Sequence, residues 1–155
     1  MKPVVSLEVA PTEKRRIQEA ITELLPEWFG RPESNRHYAE QAERLPGYVA
    51  RVGGEAKGLL LLKSMSRISA EVYWLGVVPT LHRSGIGRAL LEAAAAAAQR
   101  EGKEFLFVAT LHKSAEYEPY ERTRRFYEAL GFHFVLEEQF PDPENPSAFY
   151  MRVLG

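Results

Sequence analysis

The stretch from His82 to Gln99, HRSGIGRALLEAAAAAAQ, constrains this chain more than any other. Gly85 and Gly87 stand where a loop must turn into a helix. Residues 88–99 hold only helix-compatible side chains, six consecutive alanines among them. A helix start leaves its first N–H groups without partners, and the aligned peptide dipoles place partial positive charge there. Glycines beside that start let a ligand reach the bare backbone, so the stretch offers an anion site of the kind phosphate usually takes. A flexible turn ahead of an ordinary helix looks the same in isolation, so the surroundings must decide.

Composition narrows the function classes. A chain of 155 residues suits one domain, expected over residues 1–155, with a proper core. The formal net charge of −1 gives no global attraction to nucleic acid or to an anionic membrane, and neither is expected as a partner. No apolar run approaches the length of a membrane span. The first residues lack the apolar core and cleavage site of a secretory signal, so a cytoplasmic location is expected. There is no cysteine, which excludes disulfides, a thiolate nucleophile and cysteine metal ligands. His37, His82, His112 and His133 are scattered without ligand spacing, so no metal is expected.

Around the glycine stretch, the pattern predicts a strand at 4–9, then a helix capped by Thr12 with Ile17, Ala20, Ile21, Leu24 and Leu25 on its apolar face, broken by Pro26. A second helix, capped by Ser34 or Asn35, runs to about Leu45 on Tyr38, Ala42 and Leu45. Strand-like runs at 48–52, 56–63 and 68–78 are joined by short links, which suits an antiparallel meander. In the third of them Glu71, Tyr73, Leu75 and Val77 share a face, and Gly76 signals a bulge or a close approach. A strand at 104–110 follows the alanine-rich helix, so strand, helix and strand form a crossover with two parallel strands. Residues 123–130 are helical with Gly131 as C′ residue. A strand pair at 132–137 and 148–154 closes the chain.

Three anion-binding designs compete for residues 82–88. A P-loop needs Lys and then Ser or Thr after its last glycine, whereas Arg88–Ala89 follows Gly87. A dinucleotide fold needs a third glycine where Leu90 stands and glycines at the strand end, and these lie several residues past Pro79. The third design comes from a resemblance. Residues 77–91 (VVPTLHRSGIGRALL) resemble motif A of the GNAT N-acetyltransferases, whose pattern is Arg or Gln, two residues, Gly, one residue, then Gly or Ala. His82 stands at the first position, and Gly85 and Gly87 are kept. Residues 123–132 (TRRFYEALGF) resemble the family's motif B, and the predicted order of elements is similar over nearly the whole chain.

The resemblance implies an α/β (α+β) fold with a mixed, mostly antiparallel central sheet of about six or seven strands and helices on both faces. It implies an acetyl-CoA-dependent N-acetyltransferase acting on a primary amine by direct attack in a ternary complex. The alternative on the same fold is a non-catalytic acyl-CoA-binding or regulatory module. Backbone N–H groups of Arg83, Ser84, Gly85, Ile86, Gly87 and Arg88 would hold the CoA pyrophosphate. Val77 and Val78 would pair with the pantetheine arm, and an N–H near Val77 would polarise the thioester carbonyl. Tyr127 occupies the position of the general acid. Glu71 is the first candidate for general base, with His112, Glu116 and Glu118 in a neighbouring loop behind it. The acceptor, a small-molecule or peptide amine, would meet the Trp28–Phe29 turn, the 111–120 loop and the FPDPENP stretch at 140–146. The same two aromatics equally suit a core plug. A homodimer is compatible with this reading.

Overall fold

The computed structural model describes residues 2–139 and 145–155. Seven strands, β1 (Val4–Glu8), β2 (Gly47–Val52), β3 (Glu55–Ser64), β4 (Ser69–Val77), β5 (Phe105–Leu111), β6 (His133–Glu138) and β7 (Ser147–Val153), join in the order β1-β2-β3-β4-β5-β7-β6. Pairs β1–β2, β2–β3, β5–β7 and β6–β7 are antiparallel. Strands β4 and β5 are parallel, as the crossover pattern requires, with a register from Ser69↔Phe105 to Glu71↔Phe107. Among the described residues there are also four α-helices: α1 (Pro11–Glu23), α2 (Pro32–Arg44), α3 (Ile86–Arg100) and α4 (Glu118–Ala129). The mixed, mostly antiparallel sheet is therefore the expected one.

The chain packs as two compact units. The first comprises Met1–Lys63 and Tyr73–Ala97. Its core gathers Ile17, Ile21, Leu25, Ala42, Val49, Leu59, Leu61, Trp74 and Val78. The buried stripe of α1 is Lys14, Ile17, Gln18, Ile21 and Thr22, so three polar residues stand inside while Ala20 and Leu24 are exposed. Each polar member has a local reason to be there. Lys14 Nζ donates to Leu45 O at 2.6 Å, closing the end of α2, and burial lowers its pKa despite Glu8 nearby. Gln18 Nε2 donates to Thr22 Oγ1, which donates back to Gln18 O.

Helix α3 lies close on β3 where Gly58 leaves room for the side chains of Ile86 and Leu90. Ala94 and Ala95 are buried. A Cβ on Gly58 would come within 2.9 Å of Leu90 Cδ1 and 3.0 Å of Ile86 Cγ2. Gly76 marks a close approach of side chains: a Cβ there would sit 2.4 Å from Trp74 Cη2.

The second unit comprises Ser64–Val72 and Ala98–Gly155. Here α3 ends in a Schellman motif, with Lys103 N–H donating to Ala98 O and Gly102 N–H to Gln99 O, and Gly102 at φ 89°. Helix α4 starts five residues earlier than the pattern predicts. Its first turn holds Pro119, just as α1 and α2 open on Pro11 and Pro32 in place of the predicted Thr12 and Ser34 or Asn35 caps. Proline suits a first helical turn because its missing N–H has no acceptor to lose.

Candidate functional site

The end of β4 and the start of α3 form one continuous structure in the first unit. Val78 N–H donates to Lys57 O at 2.9 Å, tying the strand end to β3. Backbone groups of adjacent strand residues face opposite sides, so the N–H and C=O of Val77 face away from β3. That carbonyl lies 2.8 Å from Nε2 of His82. A carbonyl only accepts, so Nε2 carries the proton. The other side of the imidazole meets Trp28 edge-on, with ring centroids 5.6 Å apart.

Between them the chain makes a 3-10 turn at Pro79–Leu81. It is closed by Leu81 N–H to Val78 O, His82 N–H to Pro79 O and Ser84 N–H to Leu81 O. Arg83 (φ 65°) and Gly85 (φ 89°) are left-handed, and these two reversals turn the chain into α3. Ala89 N–H donates to Gly85 O at 3.0 Å, so the amides of Ile86, Gly87 and Arg88 precede the first helical bond. Nothing stands within 4 Å of where a Cβ on Gly85 would be. Ile86 is buried and pins the helix start, whereas Arg83, Ser84, Gly85 and Arg88 are exposed. An open row of oriented amides with arginines on either side fits a diphosphate.

Tyr127 and Glu71 belong to the second unit. Glu71 is half-buried on β4 opposite Phe107, in the last pair of the parallel ladder. Its strand alternates as expected, with Ala70, Val72, Trp74 and Gly76 buried on the other face. Tyr127 sits in the last turn of α4, whose end is a second Schellman motif: Phe132 N–H donates to Tyr127 O and Gly131 N–H to Glu128 O. The accompanying apolar contact is Tyr127 on Phe132, 5.4 Å between centroids, and Phe126 closes the other side at 5.1 Å. Burial, reinforced by Tyr120, pushes the Tyr127 hydroxyl well above the ordinary tyrosine range.

Two of the three other candidate bases are engaged locally. His112 Nδ1 lies 2.7 Å from Glu137 Oε2, and its backbone N–H donates to Pro146 O. Glu118 pairs with Arg122 on the surface, and Glu116 is left-handed at the end of a short 3-10 turn. Of the expected acceptor wall, Phe29 stacks on Trp74 at 5.2 Å and packs on the core. Asn35 Nδ2 holds the Phe29 carbonyl at 2.8 Å. Residues 140–144 of the FPDPENP stretch lie outside the described residues.

Two side chains escaped the sequence reading. The His82 side chain is one: its five-residue spacing from Val77 is short enough to bridge one 3-10 turn. Arg124 is buried, and its Nη1 donates to Leu111 O at 2.6 Å, joining α4 to the end of β5. An arginine beside an apolar helix face reads as solvated until its carbonyl partner is seen.

A family profile for the acetyltransferase (GNAT) domain matches residues 33–134. No curated protein sequence matches the chain significantly. Among solved structures, a GNAT-family protein from Desulfovibrio desulfuricans superposes with a TM-score of 0.85 at 21% identity, over 99% of this chain and 100% of that one. A GNAT family acetyltransferase from Elizabethkingia anophelis with acetyl-CoA bound gives 0.74 at 16%, over 98% of each chain. The ribosomal-protein-S18-alanine N-acetyltransferase from Escherichia coli gives 0.74 at 18%, over 98% of this chain and 95% of that one.

Proposed function

The chain belongs to the GNAT acetyltransferase family, and from that premise we propose that it transfers an acetyl group from acetyl-CoA to a primary amine by direct attack in a ternary complex. The observation that carries this reading is the open, left-handed turn at Gly85 ahead of the unbonded amides of Ile86, Gly87 and Arg88. Those amides, with Arg83 and Ser84, would hold the pyrophosphate of CoA, and Val77 and Val78 would line the pantetheine arm. Acetyl-CoA supplies the activated acyl group as a thioester.

The chain's residues divide the remaining work. Val77 N–H donates to the acyl oxygen as charge develops there. Glu71 accepts the proton of the incoming ammonium, through water where the gap requires it, and the freed amine forms the new C–N bond as the C–S bond breaks. Tyr127 O–H gives its proton to the departing thiolate and regains one, through water, from the nitrogen, which sheds its second proton as the amide forms. With no cysteine in the chain, no cysteinyl acyl-enzyme forms. The acceptor is a small-molecule or protein amine, and the S18-alanine specificity in the name of the E. coli relative keeps protein amines in view. Among the described residues no helix is long and apolar enough to cross a membrane, in keeping with work in the cytoplasm.

The burial of Tyr127 between two phenylalanines favours a second reading, an acyl-CoA-binding module in which this ring is only packing. One assay separates the two: release of free CoA thiol from acetyl-CoA across a panel of amines and peptides, beside the melting temperature with CoA. A catalyst releases thiol with at least one acceptor. A binding module melts higher with CoA but stays at background. If neither CoA nor acetyl-CoA shifts the melt at about millimolar concentration, far above an ordinary Kd, both readings fail.

A further inference from the structure

We propose that His82 is a positioning residue for the acyl donor, setting the end of β4 and the phosphate loop in one geometry through its side chain. This rests on the acetyl-CoA reading above. Three observations meet at its ring. Nε2–H donates to Val77 O at 2.8 Å. The ring edge packs against Trp28. The backbone N–H of the same residue closes the 3-10 turn on Pro79 O.

Val77 is where the need arises. Its N–H and C=O both face away from β3, toward the side the pantetheine would take. The N–H has work to do there, as donor to the acyl oxygen. The C=O occupies the same edge as an acceptor, and a bare carbonyl beside a developing oxyanion is repulsive. The His82 donor neutralises that carbonyl and, with the Val78 N–H to Lys57 O bond on the opposite side, clamps the Val77–Val78 peptide plane, so the strand end that carries the Val77 N–H is held in one direction. Trp28 holds the imidazole in the rotamer that reaches Val77. The role needs an N–H at the tip of a side chain of this length, which glutamine also supplies and leucine does not.

The experiment compares His82→Gln, His82→Leu and Trp28→Leu with the wild type, reading KM for acetyl-CoA, kcat and the melting temperature with and without CoA. His82→Leu should raise KM for acetyl-CoA about tenfold, as loss of one well-made hydrogen bond does. Its ligand-free melting temperature should stay near wild type, because the residue is exposed. His82→Gln should recover most of the loss, and Trp28→Leu should fall between. A general structural role would lower the ligand-free melt of both His82 variants and leave glutamine no better than leucine. A wild type that shifts with CoA beside a His82→Leu protein of unchanged KM overturns the proposal. A wild type that does not shift with CoA overturns the donor reading itself.

Discussion

Tyr127 holds its hydroxyl where ionisation is costly, and that has consequences at two pH ranges. Near neutrality the group stays protonated, the state that a proposed proton donor needs. Tyr127→Phe should therefore lower kcat about 100-fold, the low end of general-acid contributions, with the CoA-induced melting shift retained. An unchanged rate would remove Tyr127 from the chemistry. At high pH the sign follows from burial. The folded pKa lies above that of the unfolded chain, so above about pH 10 the unfolded state releases this proton first and binds fewer protons than the native state. Stability is complete below that pH and is lost as pH rises. Urea titrations at rising alkaline pH should show a steeper loss for wild type than for Tyr127→Phe. Tyr150, also raised chiefly by burial, keeps part of the slope in both. Arg83 is the other informative residue. Glycine at its φ of 65° relieves left-handed strain but adds freedom to the unfolded chain, and the two nearly cancel. Arg83→Gly should change unfolding free energy by less than about 0.5 kcal/mol. Its CoA Kd should nevertheless rise about tenfold, the value of one charge-assisted phosphate contact. The helical place of Tyr127 was legible in the pattern of residues 123–130, and the turn at Gly85 in its place ahead of the helix. The left-handed turn at Arg83 was not, because nothing in an arginine announces a positive φ.

At the scale of elements, what the sequence hides is where helices begin. Thr12, Ser34 and Asn35 have the chemistry of caps, yet Pro11 and Pro32 take the first helical turn ahead of them, and Asn35 turns its amide to Phe29 O. A residue that cannot sit inside a helix is nonetheless well suited to its first turn. Helix ends were easier, because Gly102 and Gly131 are the residues that tolerate the left-handed C′ position. The end of α4 ties element to chemistry. The Gly131 reversal delivers Phe132 onto Tyr127, so the motif that stops the helix also buries the proposed acid. Gly131→Ala should cost about 1 kcal/mol by forcing a Cβ into positive φ. Because the cost falls on the packing around Tyr127, kcat should drop with little change in CoA affinity. Urea denaturation and the split between kcat and the CoA melting shift measure the two effects. An alanine variant as stable as wild type would mean the turn had relaxed.

For the molecule as a whole, local pattern identified the strands but not the order of the last two. Strand β7 enters beside β5, with Ala148 and Tyr150 buried, while every residue of β6 is exposed at the edge. A terminal hairpin reads the same whichever strand joins the sheet, and burial alone distinguishes them. The proposed pyrophosphate cradle, in contrast, is contiguous in sequence, and its effect on the whole chain can be sized. A ligand that binds only the native state adds RT ln(1 + [L]/Kd), about 2.7 kcal/mol at a hundredfold excess over Kd. For a chain of 155 residues, each kcal/mol moves the midpoint about 2–4 °C, so acetyl-CoA at that excess should raise the melting temperature by about 5–10 °C. Gly85→Asp should abolish the rise. Aspartate tolerates the left-handed turn better than most residues, so the ligand-free melt falls only slightly. Its carboxylate, however, projects into the open space where no atom stands within 4 Å, and repels a diphosphate there. Gly87→Glu should act in the same direction by placing its charge in the first turn of α3. A Gly85→Asp protein that keeps the full shift would place the diphosphate elsewhere on the chain and remove these amides from donor binding.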